Sequence, residues 1–517
     1  MTAVRPTTAT PVGLTDLVAG LDLTTELPAA PRITGVGLDS RQMAPGWLYF
    51  ALPGERVHGA AFAEQAVAAG AVAILTDEAG AALAAATGVP TLVSSRLRRD
   101  MAEVSARFFG RPAMALELFG VTGTNGKTTT VALLDAGLRS AGRSSATIGT
   151  LGFRLNGAAL ASTRSTVTTP DSPDLQALLA VMGQAGATSV SIEVSSHALA
   201  FERVAGLRFA VVGFLNLGRD HLDFHRDLDD YFDAKARLFT SEYADAAVIW
   251  TDDDHGRRLV QRAREQGVSR IVTVGTTDDA DYRLTSYRPD GPLGGHAVVR
   301  RGGEELTLTS RLPGRYNAID TVVALAMLET AGYEADSVLA GLMSATVPGR
   351  MEPLELPGEA PSVVVDFAHT PQAVDAALAA LEGGFGQMIA VLGCGGDRDA
   401  AKRPAMGAAA AGWADIVIIT DDNPRSEDPA LIREAAFRGA LDAAAQRDPA
   451  PLVLNIAGRG NAIERALEES SAASVVAILG KGHETGQHMG DRVIDFDDAV
   501  EVRRAWERLR GGIDAAT

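Results

Sequence analysis

The chain has 517 residues, of which 46% are hydrophobic and 22% are charged, and its net charge is −18. This length exceeds what one hydrophobic core organises and predicts about three domains of ordinary size. The acidic balance excludes the basic face of a typical nucleic-acid-binding protein, so we expect no nucleic-acid partner. The sequence shows neither a signal-peptide core nor the roughly 18 apolar residues of a spanning helix, which favours a cytoplasmic protein without membrane association.

The first two blocks of the chain are predicted from short apolar strands. Residues 1–105 alternate such runs with turns and an alanine-rich helical stretch, which predicts a small α/β domain. Residues 106–347 open with the apolar run Ala115–Val121, a glycine-rich loop and a helix from about Lys127 to Leu138. A strand, a loop and a helix in this order predict a central domain with a parallel sheet of the P-loop ATPase type.

The third block, residues 348–517, repeats an apolar strand that ends abruptly in polar residues. The four strands are Val363–Val365, Met388–Leu392, Ile416–Ile419 and Val475–Leu479. Their alternation with alanine-rich helices is typical of a parallel sheet covered on both faces, so we predict a C-terminal Rossmann-like domain and an α/β fold of three domains. Because ligands bind beyond the carboxyl ends of such strands, the polar ends are expected to meet at one crevice. The alternative is that they are ordinary loops with capping residues.

The segment GVTGTNGKTTT, residues 120–130, has the GxxGK[ST] core of a phosphate-binding loop. Glycines let backbone N–H groups curl around phosphate oxygens, while a lysine reaches the terminal phosphates and a hydroxyl group binds magnesium. We expect ATP to be bound by Gly123, Thr124, Asn125, Gly126, Lys127, Thr128 and Thr129. The loop alone does not distinguish a switch, a motor, a kinase or a ligase.

Lysine and cysteine are both scarce in this chain. Only four of the 47 basic residues are lysines, namely Lys127, Lys235, Lys402 and Lys481. A chain so rich in arginine is expected to keep lysine where a compact, titratable amine is needed, although mutational bias would also leave a few survivors. The single Cys394 excludes an internal disulfide and a cysteine-rich zinc site.

Further motifs follow the phosphate loop in an order that resembles one enzyme family. They are EVSSHAL at 193–199, NLGRDHLDFH at 216–225, YFDAKARLF at 231–239, GRYNAID at 314–320, PGRME at 348–352 and DFAHTP at 366–371. With LDSR at 38–41 and GTNGKTT at 123–129, this set is similar to the Mur ligases and their folylpolyglutamate and cyanophycin synthetase relatives. GCGGDRD, DDNPR and GKGHE, at 393–399, 421–425 and 480–484, resemble the tripeptide-synthetase branch, which adds the third peptide residue.

The resemblance implies a reaction that uses ATP and Mg²⁺. ATP phosphorylates the D-glutamate side-chain carboxylate of UDP-N-acetylmuramoyl-L-alanyl-D-glutamate, and an incoming amine attacks the acyl phosphate. The implied catalytic residues are Lys127, Glu193, His221 and Lys235, and the implied magnesium ligands are Thr128, Glu193, His221 and a carbamate on Lys235. A carbamate turns a cation into an anionic ligand, which arginine cannot do. The alternatives are a surface salt bridge for Lys235 and structural roles for the histidines, and we interpret His225 as structural.

The resemblance also assigns substrate-binding residues. For ATP it implies Asn317 on the adenine side, Arg350 on the phosphates, and Asp366 with His369 in the crevice. For the UDP-sugar it implies Leu38, Ser40 and the loop of Glu55, Arg56 and Val57, and for the muramoyl peptide Thr168, Thr169, Ser195 and Arg203. The chain departs from the family pattern at Val167 and Phe201, where polar sugar-binding residues are common, and at Gly218, Phe224 and Phe367.

The residues expected to bind the added amino acid follow the last strands. They are Arg398, Asp422, Asn423, Pro424, Arg425, Gly480 and Glu484. DNPR resembles the family version that selects meso-2,6-diaminopimelate, whose extra carboxylate Arg425 can grip as a fork, while Asp422 and Glu484 can hold ammonium groups. We therefore predict meso-diaminopimelate, with L-lysine or another diamino acid as the alternative. Arg425 could instead pair locally with Glu427 or Asp428.

Two other functions fit part of the sequence. A ligase like folylpolyglutamate synthetase would share the central domain but would not need the LDSR or DNPR motifs. A nucleotide-dependent switch would bind ATP without making an amide bond. We expect the small molecules UDP-MurNAc-dipeptide, ATP and a diamino acid as partners, and a monomeric protein.

Overall fold

The structure is a computed structural model that describes residues 5–6, 10–24, 31–54, 56–160, 167–222, 224–290 and 294–514, with side chains to 510. The chain forms two compact units. The first comprises residues 1–283 and 322–342, and the second comprises residues 284–321 and 343–517. The domain borders expected near 105 and 347 stay predictions.

A four-stranded parallel sheet opens the first unit. Its strands pair in chain order and are Gly35–Gly37, Trp47–Ala51, Ala71–Thr76 and Thr91–Val93. Its helices are Leu14–Val18, Ala63–Ala68, Glu78–Ala84 and Leu97–Phe108, with 3₁₀ turns at Ser40–Gln42, Gly59–Phe62 and Ala85–Thr87. A short ladder of Val12–Gly13 with Arg32–Ile33 lies outside this sheet.

The second sheet of this unit is mainly parallel. In spatial order its strands within this unit are Ala158–Ala159, Gly152–Leu155, Ser145–Gly149, Ser189–Glu193, Glu117–Thr122, Val211–Phe214, Ala246–Trp250 and Arg270–Gly275, and the last pairs in parallel with Tyr282 and Arg283 at the start of the next strand. The two edge strands at 152–159 are antiparallel and the other six are parallel. Its helices are Lys127–Ser140, Ser172–Gln184, Ser196–Ala200, Leu228–Ala236 and Asp254–Glu265, with a 3₁₀ turn at Pro112–Ala115. The predicted strand, loop and helix around residue 120 are confirmed.

A six-stranded sheet organises the second unit. In spatial order its strands are Glu352–Leu354, Ser362–Asp366, Ser474–Leu479, Gln387–Cys394, Ile416–Asp421 and Leu452–Asn455. The first strand is antiparallel and the other five are parallel. Its helices are Pro371–Ala379, Lys402–Trp413, Pro429–Ala444, Arg459–Glu468 and Asp498–Asp514, and two hairpins pair Gly295–Arg301 with Glu304–Ser310 and Gly486–Met489 with Arg492–Asp495.

The expected covering of this sheet on both faces is visible in its alternating side chains. Val364, Leu392 and Ile419 lie in one buried cluster, whereas their neighbours Val363, Val391 and Ile418 lie in a second cluster. Both sets have no more than 1% of their surface exposed. The four predicted strands are therefore confirmed, and their polar carboxyl ends lie along the same edge.

Three further elements complete the described secondary structure: the strand Tyr282–Pro289 and the helices Arg315–Thr330 and Ala335–Ser344. In the described parts of the chain, no helix combines the length and apolar character needed to cross a membrane.

Candidate active site

The phosphate loop joins the strand Glu117–Thr122 to the helix that begins at Lys127. Gly126 adopts a φ of 88°, a left-handed conformation that glycine takes without the steric cost of a side chain. The Lys127 Nζ atom donates hydrogen bonds to the carbonyl oxygens of Gly123 and Thr124, each at 2.8 Å. The lysine thus closes the loop on itself and holds a positive charge beside its backbone N–H groups.

Asn216 braces the loop from the end of a neighbouring strand. Its side-chain oxygen accepts the backbone N–H of Asn125 at 2.9 Å, and its amide group donates to the Asn125 carbonyl at 3.1 Å. The Thr124 hydroxyl in turn accepts the backbone N–H of Gly218 at 2.9 Å. Gly218, which replaces a hydroxyl residue of the family pattern, therefore contributes a backbone donor.

Glu193 lies at the end of its strand and is 1% exposed. One carboxylate oxygen accepts hydrogen bonds from the hydroxyls of Thr128 at 3.1 Å and Thr150 at 3.0 Å. The other oxygen accepts the Thr150 backbone N–H at 2.8 Å. A side chain at Gly149 would overlap this carboxylate, because its Cβ atom would lie 2.2 Å from Glu193 Oε1. The predicted pair of Thr128 and Glu193 is in direct contact.

Lys235 is buried next to the phosphate loop, with 1% of its surface exposed. Its Nζ atom donates to the Gly123 carbonyl at 2.8 Å, the same oxygen that Lys127 uses, and lies 4.4 Å from the centre of the Tyr231 ring. Burial lowers the pKa of Lys235 well below its usual range, and the nearby charge of Lys127 lowers it further. A buried lysine with a lowered pKa has the neutral amine that reacts with carbon dioxide.

Three histidines lie in an aromatic cluster beside Tyr231, in which most rings meet edge-on or tilted. The His221 ring centre lies 6.0 Å from that of Tyr231 and 4.9 Å from that of His197, which stacks on Phe224 at 4.1 Å. His225 is 3% exposed and lies within hydrogen-bond distance of Ser196 and Asp230. This environment agrees with the structural interpretation of His225.

The oxygen donors of Thr128 and Glu193 suit a hard cation such as Mg²⁺. The described residues contain no group of three or more His, Cys, Asp or Glu side chains arranged to hold a metal ion. His221 and Lys235 both flank Tyr231, and as an ammonium Lys235 would repel a cation, whereas as a carbamate it would supply an anionic oxygen. The donor chemistry therefore fits magnesium when Lys235 carries the modification.

The four predicted peptide-binding residues surround the start of the helix at 196. The Thr169 hydroxyl donates to the Glu193 carbonyl at 2.6 Å and accepts the Ser195 backbone N–H at 3.2 Å. Arg203 donates to the Thr169 carbonyl and to Asp171, each at 3.0 Å, and the Thr168 hydroxyl lies 3.4 Å from that of Thr150. Their side chains form one polar network that leads to the carboxylate of Glu193.

Three of the five residues predicted for the UDP-sugar line a cleft of about 650 Å³ in the first unit. Leu38, Ser40 and Val57 lie in its wall, together with Tyr49 and with Val167, which precedes the helix Ser172–Gln184. Arg56 is exposed, and Glu55 lies outside the described residues. The cleft thus brings together most of the expected uridine-side positions with the start of the peptide-binding segment.

The ATP residues predicted after residue 284 lie in the second unit. Asp366 accepts the Met351 backbone N–H at 2.7 Å, and the Arg350 guanidinium carbon lies 4.5 Å from the centre of the Phe367 ring. Burial raises the pKa of Asp366, while the charge of Arg350 opposes that effect. His369 lies 2.9 Å from the Phe367 carbonyl, and the Asn317 amide donates to the Pro313 carbonyl at 2.7 Å.

The predicted amino-acid-binding residues meet at the polar edge of the six-stranded sheet. The Asn423 amide donates to Glu484 at 2.7 Å, and the Arg425 guanidinium donates to the Gly396 carbonyl at 2.6 Å. Asp422 follows the strand that ends at Asp421, and Gly480 packs beside it, since a Cβ atom on Gly480 would lie 3.7 Å from Asp422 Oδ2. These contacts bring Asn423 next to Glu484 and Asp422 next to Gly480, and a ligand-binding crevice at this edge stays a prediction.

Arg425 does not use the local partners considered as its alternative. Glu427 pairs with Arg403 at 2.7 Å, and Asp428 caps the next helix by accepting the Ala430 backbone N–H at 2.8 Å. Arg425 adopts a left-handed φ of 53° and turns towards the loop at 395–396, where Arg398 is exposed nearby. Pro424 is buried behind it.

Three family models match the chain in succession. The Mur ligase family catalytic domain matches residues 32–108, the Mur ligase middle domain matches 121–328, and the Mur ligase glutamate ligase domain matches 349–482. A curated protein of Streptomyces avermitilis, UDP-N-acetylmuramoyl-L-alanyl-D-glutamate--2,6-diaminopimelate ligase, is 42% identical over 93% of this chain and 94% of its own length. The chain belongs to the Mur ligase family. A ligase of the same name from Corynebacterium efficiens is 41% identical over 92% of this chain and 90% of its own length.

Solved structures agree with this Mur ligase assignment. A structure of UDP-N-acetylmuramoyl-L-alanyl-D-glutamate--2,6-diaminopimelate ligase has a TM-score of 0.70 and 32% identity, covering 97% of this chain and 100% of that one. A MurF from Acinetobacter baumannii has a TM-score of 0.62 at 16% identity, covering 91% of this chain and 96% of that one, and is a likeness of fold alone. The predicted three-domain α/β fold is confirmed.

Several residues of this Mur ligase site were missed from the sequence. Thr150 gives Glu193 two hydrogen bonds but follows its strand in a segment without a motif. Asn216 opens the NLGRDH motif, so its place there was a usable signal. Lys481 was given no role in the sequence analysis, although it is one of the four lysines and lies within GKGHE; it contacts two of the predicted amino-acid-binding residues, Asn423 and Glu484.

Proposed function

We propose that this protein ligates meso-2,6-diaminopimelate to UDP-N-acetylmuramoyl-L-alanyl-D-glutamate at the expense of ATP, for peptidoglycan precursor synthesis. The observation that carries the proposal is the 42% identity, over 93% of the chain, to a ligase whose name specifies both substrates. The polar edge that contains Arg425, Asp422 and Glu484 supports the choice of a diamino acid with a second carboxylate.

The first step is the transfer of the terminal phosphoryl group of ATP to the D-glutamate carboxylate. One carboxylate oxygen attacks the phosphorus, the bond to the bridging oxygen breaks, and ADP leaves. Lys127 and the backbone N–H groups of the phosphate loop stabilise the charge on the phosphates. Thr169, Ser195 and Arg203 orient the dipeptide so that its carboxylate reaches the phosphate.

A magnesium ion held by Thr128, Glu193, His221 and a carbamate on Lys235 would neutralise negative charge between the phosphates and the carboxylate. The lowered pKa of Lys235 supports this modification, because carbon dioxide reacts with the neutral amine. The pairing of Glu193 with Thr128 and Thr150 orients its carboxylate toward the loop.

In the second step the amine of diaminopimelate attacks the acyl carbon, phosphate leaves, and the amine loses a proton as the amide forms. Arg425 would grip the carboxylate at the far end of the diamino acid. Asp422 and Glu484 would hold its ammonium group, with Asn423 fixing the position of Glu484. Asn317, Arg350, Asp366 and His369 are the remaining residues that we propose for ATP binding.

The function is tested by measuring ADP release with UDP-MurNAc-L-Ala-D-Glu and each candidate amine. We expect release only when the muramoyl dipeptide and meso-diaminopimelate are both present. Faster release with L-lysine would identify a lysine-adding ligase, and release with a folate substrate would identify a folylpolyglutamate-type ligase. Equal release without the dipeptide would contradict ligation and favour a switch.

Arg425→Ala tests the choice of amino acid. We expect the preference for meso-diaminopimelate over L-lysine to fall roughly tenfold to a hundredfold, because a charged hydrogen bond to the extra carboxylate is lost. Arg433→Ala is a matched control, since Arg433 pairs with Asp421 and Asn455 in the same unit. An unchanged preference in Arg425→Ala would show that another group recognises the carboxylate.

We further propose a cytoplasmic location and a monomeric state. The monomeric state is measurable as a mass near 53.8 kDa by light scattering.

A further inference from the structure

Lys481 is a fully buried lysine at the polar edge of the six-stranded sheet, with 0% of its surface exposed. It follows the strand Ser474–Leu479 by two residues and sits within the GKGHE motif. Buried ammonium groups are stable in proteins only when several acceptors surround them. The partners of Lys481 therefore indicate what it organises.

Three hydrogen-bond acceptors and one further carboxylate surround the ammonium group, and they come from two segments, 422–423 and 484–486. Its Nζ atom donates to the Gly486 carbonyl at 2.6 Å, to Glu484 at 3.2 Å and to the Asn423 side-chain oxygen at 3.3 Å, and it lies 3.7 Å from Asp422. Three of these four residues belong to the proposed binding site for the diamino acid. Because all three of its protons are directed at these groups, Lys481 has none left with which to bind a substrate.

The contact with Asn423 fixes which way its amide points. The Asn423 oxygen accepts from Lys481 and from the His488 backbone N–H at 2.9 Å. Its nitrogen is therefore turned towards Glu484 and donates to it at 2.7 Å. Lys481 and Asn423 together bind the same carboxylate oxygen, Glu484 Oε2, so that the other oxygen of Glu484 is held in a defined position.

Through its contact with Gly486, Lys481 also holds the hairpin that positions Arg425. Gly486 begins the hairpin strand Gly486–Met489, whose His488 carbonyl accepts the Arg425 backbone N–H at 3.0 Å. The Arg425 carbonyl in turn accepts the Gly490 backbone N–H at 2.8 Å. These two bonds hold Arg425 in its left-handed conformation, which a residue with a side chain adopts only when its surroundings impose it.

Asp422 retains an unused acceptor in the same cluster. It is 7% exposed, and its Oδ1 atom lies 3.7 Å from Lys481 Nζ but accepts no hydrogen bond from the described residues. A buried carboxylate oxygen that has an ion-pair partner but no hydrogen-bond donor leaves a place for a donor that arrives from outside. The ammonium group of the diamino acid is such a donor.

We propose that Lys481 is a positioning residue for the incoming diamino acid: it aligns Asn423, Glu484 and the hairpin that holds Arg425 without touching the substrate. This inference rests on the proposed function, since it assumes that these residues bind the added amino acid. The chain has four lysines, and the proposed reaction uses Lys127 and Lys235. The inference gives a role to Lys481, which that reaction leaves without one.

The test is a steady-state comparison of Lys481→Met with wild type and with Lys402→Met, a lysine at the start of the helix Lys402–Trp413. We expect Lys481→Met to raise the KM for diaminopimelate tenfold to a hundredfold, a range typical of lost hydrogen bonds to charged groups. The KM values for ATP and for the muramoyl dipeptide should stay within about twofold of wild type, as should all constants of Lys402→Met. A KM for diaminopimelate within twofold of wild type would overturn the proposal.

A double-mutant cycle with Asn423→Ala separates positioning from an independent effect. Since Lys481 is proposed to act through Asn423 and Glu484, the double variant should have a KM for diaminopimelate no larger than that of the worse single variant. If the increase in KM of the double variant equals the product of the increases of the two single variants, the proposal is overturned. If Lys481→Met does not fold, Lys481→Gln, which keeps a donor for the Gly486 carbonyl, replaces it and its KM values are compared in the same way. If neither variant folds, the role of Lys481 is structural and the proposal is wrong. Wild-type enzyme without diaminopimelate-dependent ADP release would instead contradict the proposed function.

Discussion

At the scale of single residues, the chemistry of the side chain decided which positions were predictable. The scarcity of lysine drew attention to Lys235 before any fold was known, because only an amine can form a carbamate. Lys481 is equally conspicuous in the sequence, but its surroundings were not predictable, since its acceptors come from segments about 60 residues apart in sequence. Thr150 was not predictable, because a hydroxyl residue after a strand is most often a cap or a turn residue.

Lys235→Arg is expected to lower kcat by roughly 100-fold or more. This is the effect typically seen when a group that stabilises charge in the transition state is removed. Arginine keeps the positive charge but cannot become an anionic ligand. The measurement is ADP release under saturating substrates, with Lys402→Arg as the control for a lysine that the mechanism does not use. Activity within a few-fold of wild type in Lys235→Arg would show that no carbamate is needed.

The burial of Lys235 also predicts a pH dependence of stability. Burial, and then the charge of Lys127, lower the pKa of Lys235 in the folded protein, so the unfolded chain binds more protons between that lowered pKa and about 10.4. The free energy of unfolding should therefore rise with pH through this window. Lys235→Met should remove that rise and melt at a higher temperature than wild type at neutral pH, measured in buffer free of carbon dioxide. A lower melting temperature for the variant would indicate that Lys235 stabilises the folded state as a cation.

At the scale of secondary structure, regular elements were predictable and the contacts between their ends were not. The four strands of the third block were found because a continuous apolar run indicates a strand buried on both faces. The hairpin Gly486–Asp495 was missed, because its second strand, Arg492–Asp495, is exposed and its two apolar residues are adjacent instead of alternating with polar ones. The hairpin matters to the site because its first strand holds Arg425.

Asn216→Ala tests the brace on the phosphate loop. The change removes two hydrogen bonds between Asn216 and the backbone of Asn125, each worth about 1 kcal/mol, so the KM for ATP should rise roughly threefold to thirtyfold. Asn461→Ala is the matched control, because Asn461 bonds only to the Ala457 carbonyl in the described structure and lies on an exposed surface. If the KM for ATP stays at the wild-type value, the loop keeps its shape without Asn216.

At the scale of the whole molecule, three sheets were foreseeable from three blocks, but the grouping of segments was not. Residues 284–321 belong to the second compact unit although the middle-domain model covers 121–328. Grouping of this kind depends on contacts between residues far apart in sequence, which periodicity and composition do not report. The proposed substrates are divided accordingly: the UDP-sugar cleft lies in the first unit and the diamino-acid cluster in the second.

Each substrate should therefore stabilise the unit that binds it. A ligand at 100 times its Kd stabilises the folded state by about 2.7 kcal/mol, enough to raise a melting temperature by several degrees. The four tryptophans provide probes, since Trp47 and Trp250 lie in the first unit and Trp413 and Trp506 in the second. In a Trp413→Phe, Trp506→Phe variant, fluorescence melting should respond to UDP-MurNAc-L-Ala-D-Glu more than to diaminopimelate. The complementary Trp47→Phe, Trp250→Phe variant should show the reverse order, and equal shifts in both variants would mean that the two units unfold as one.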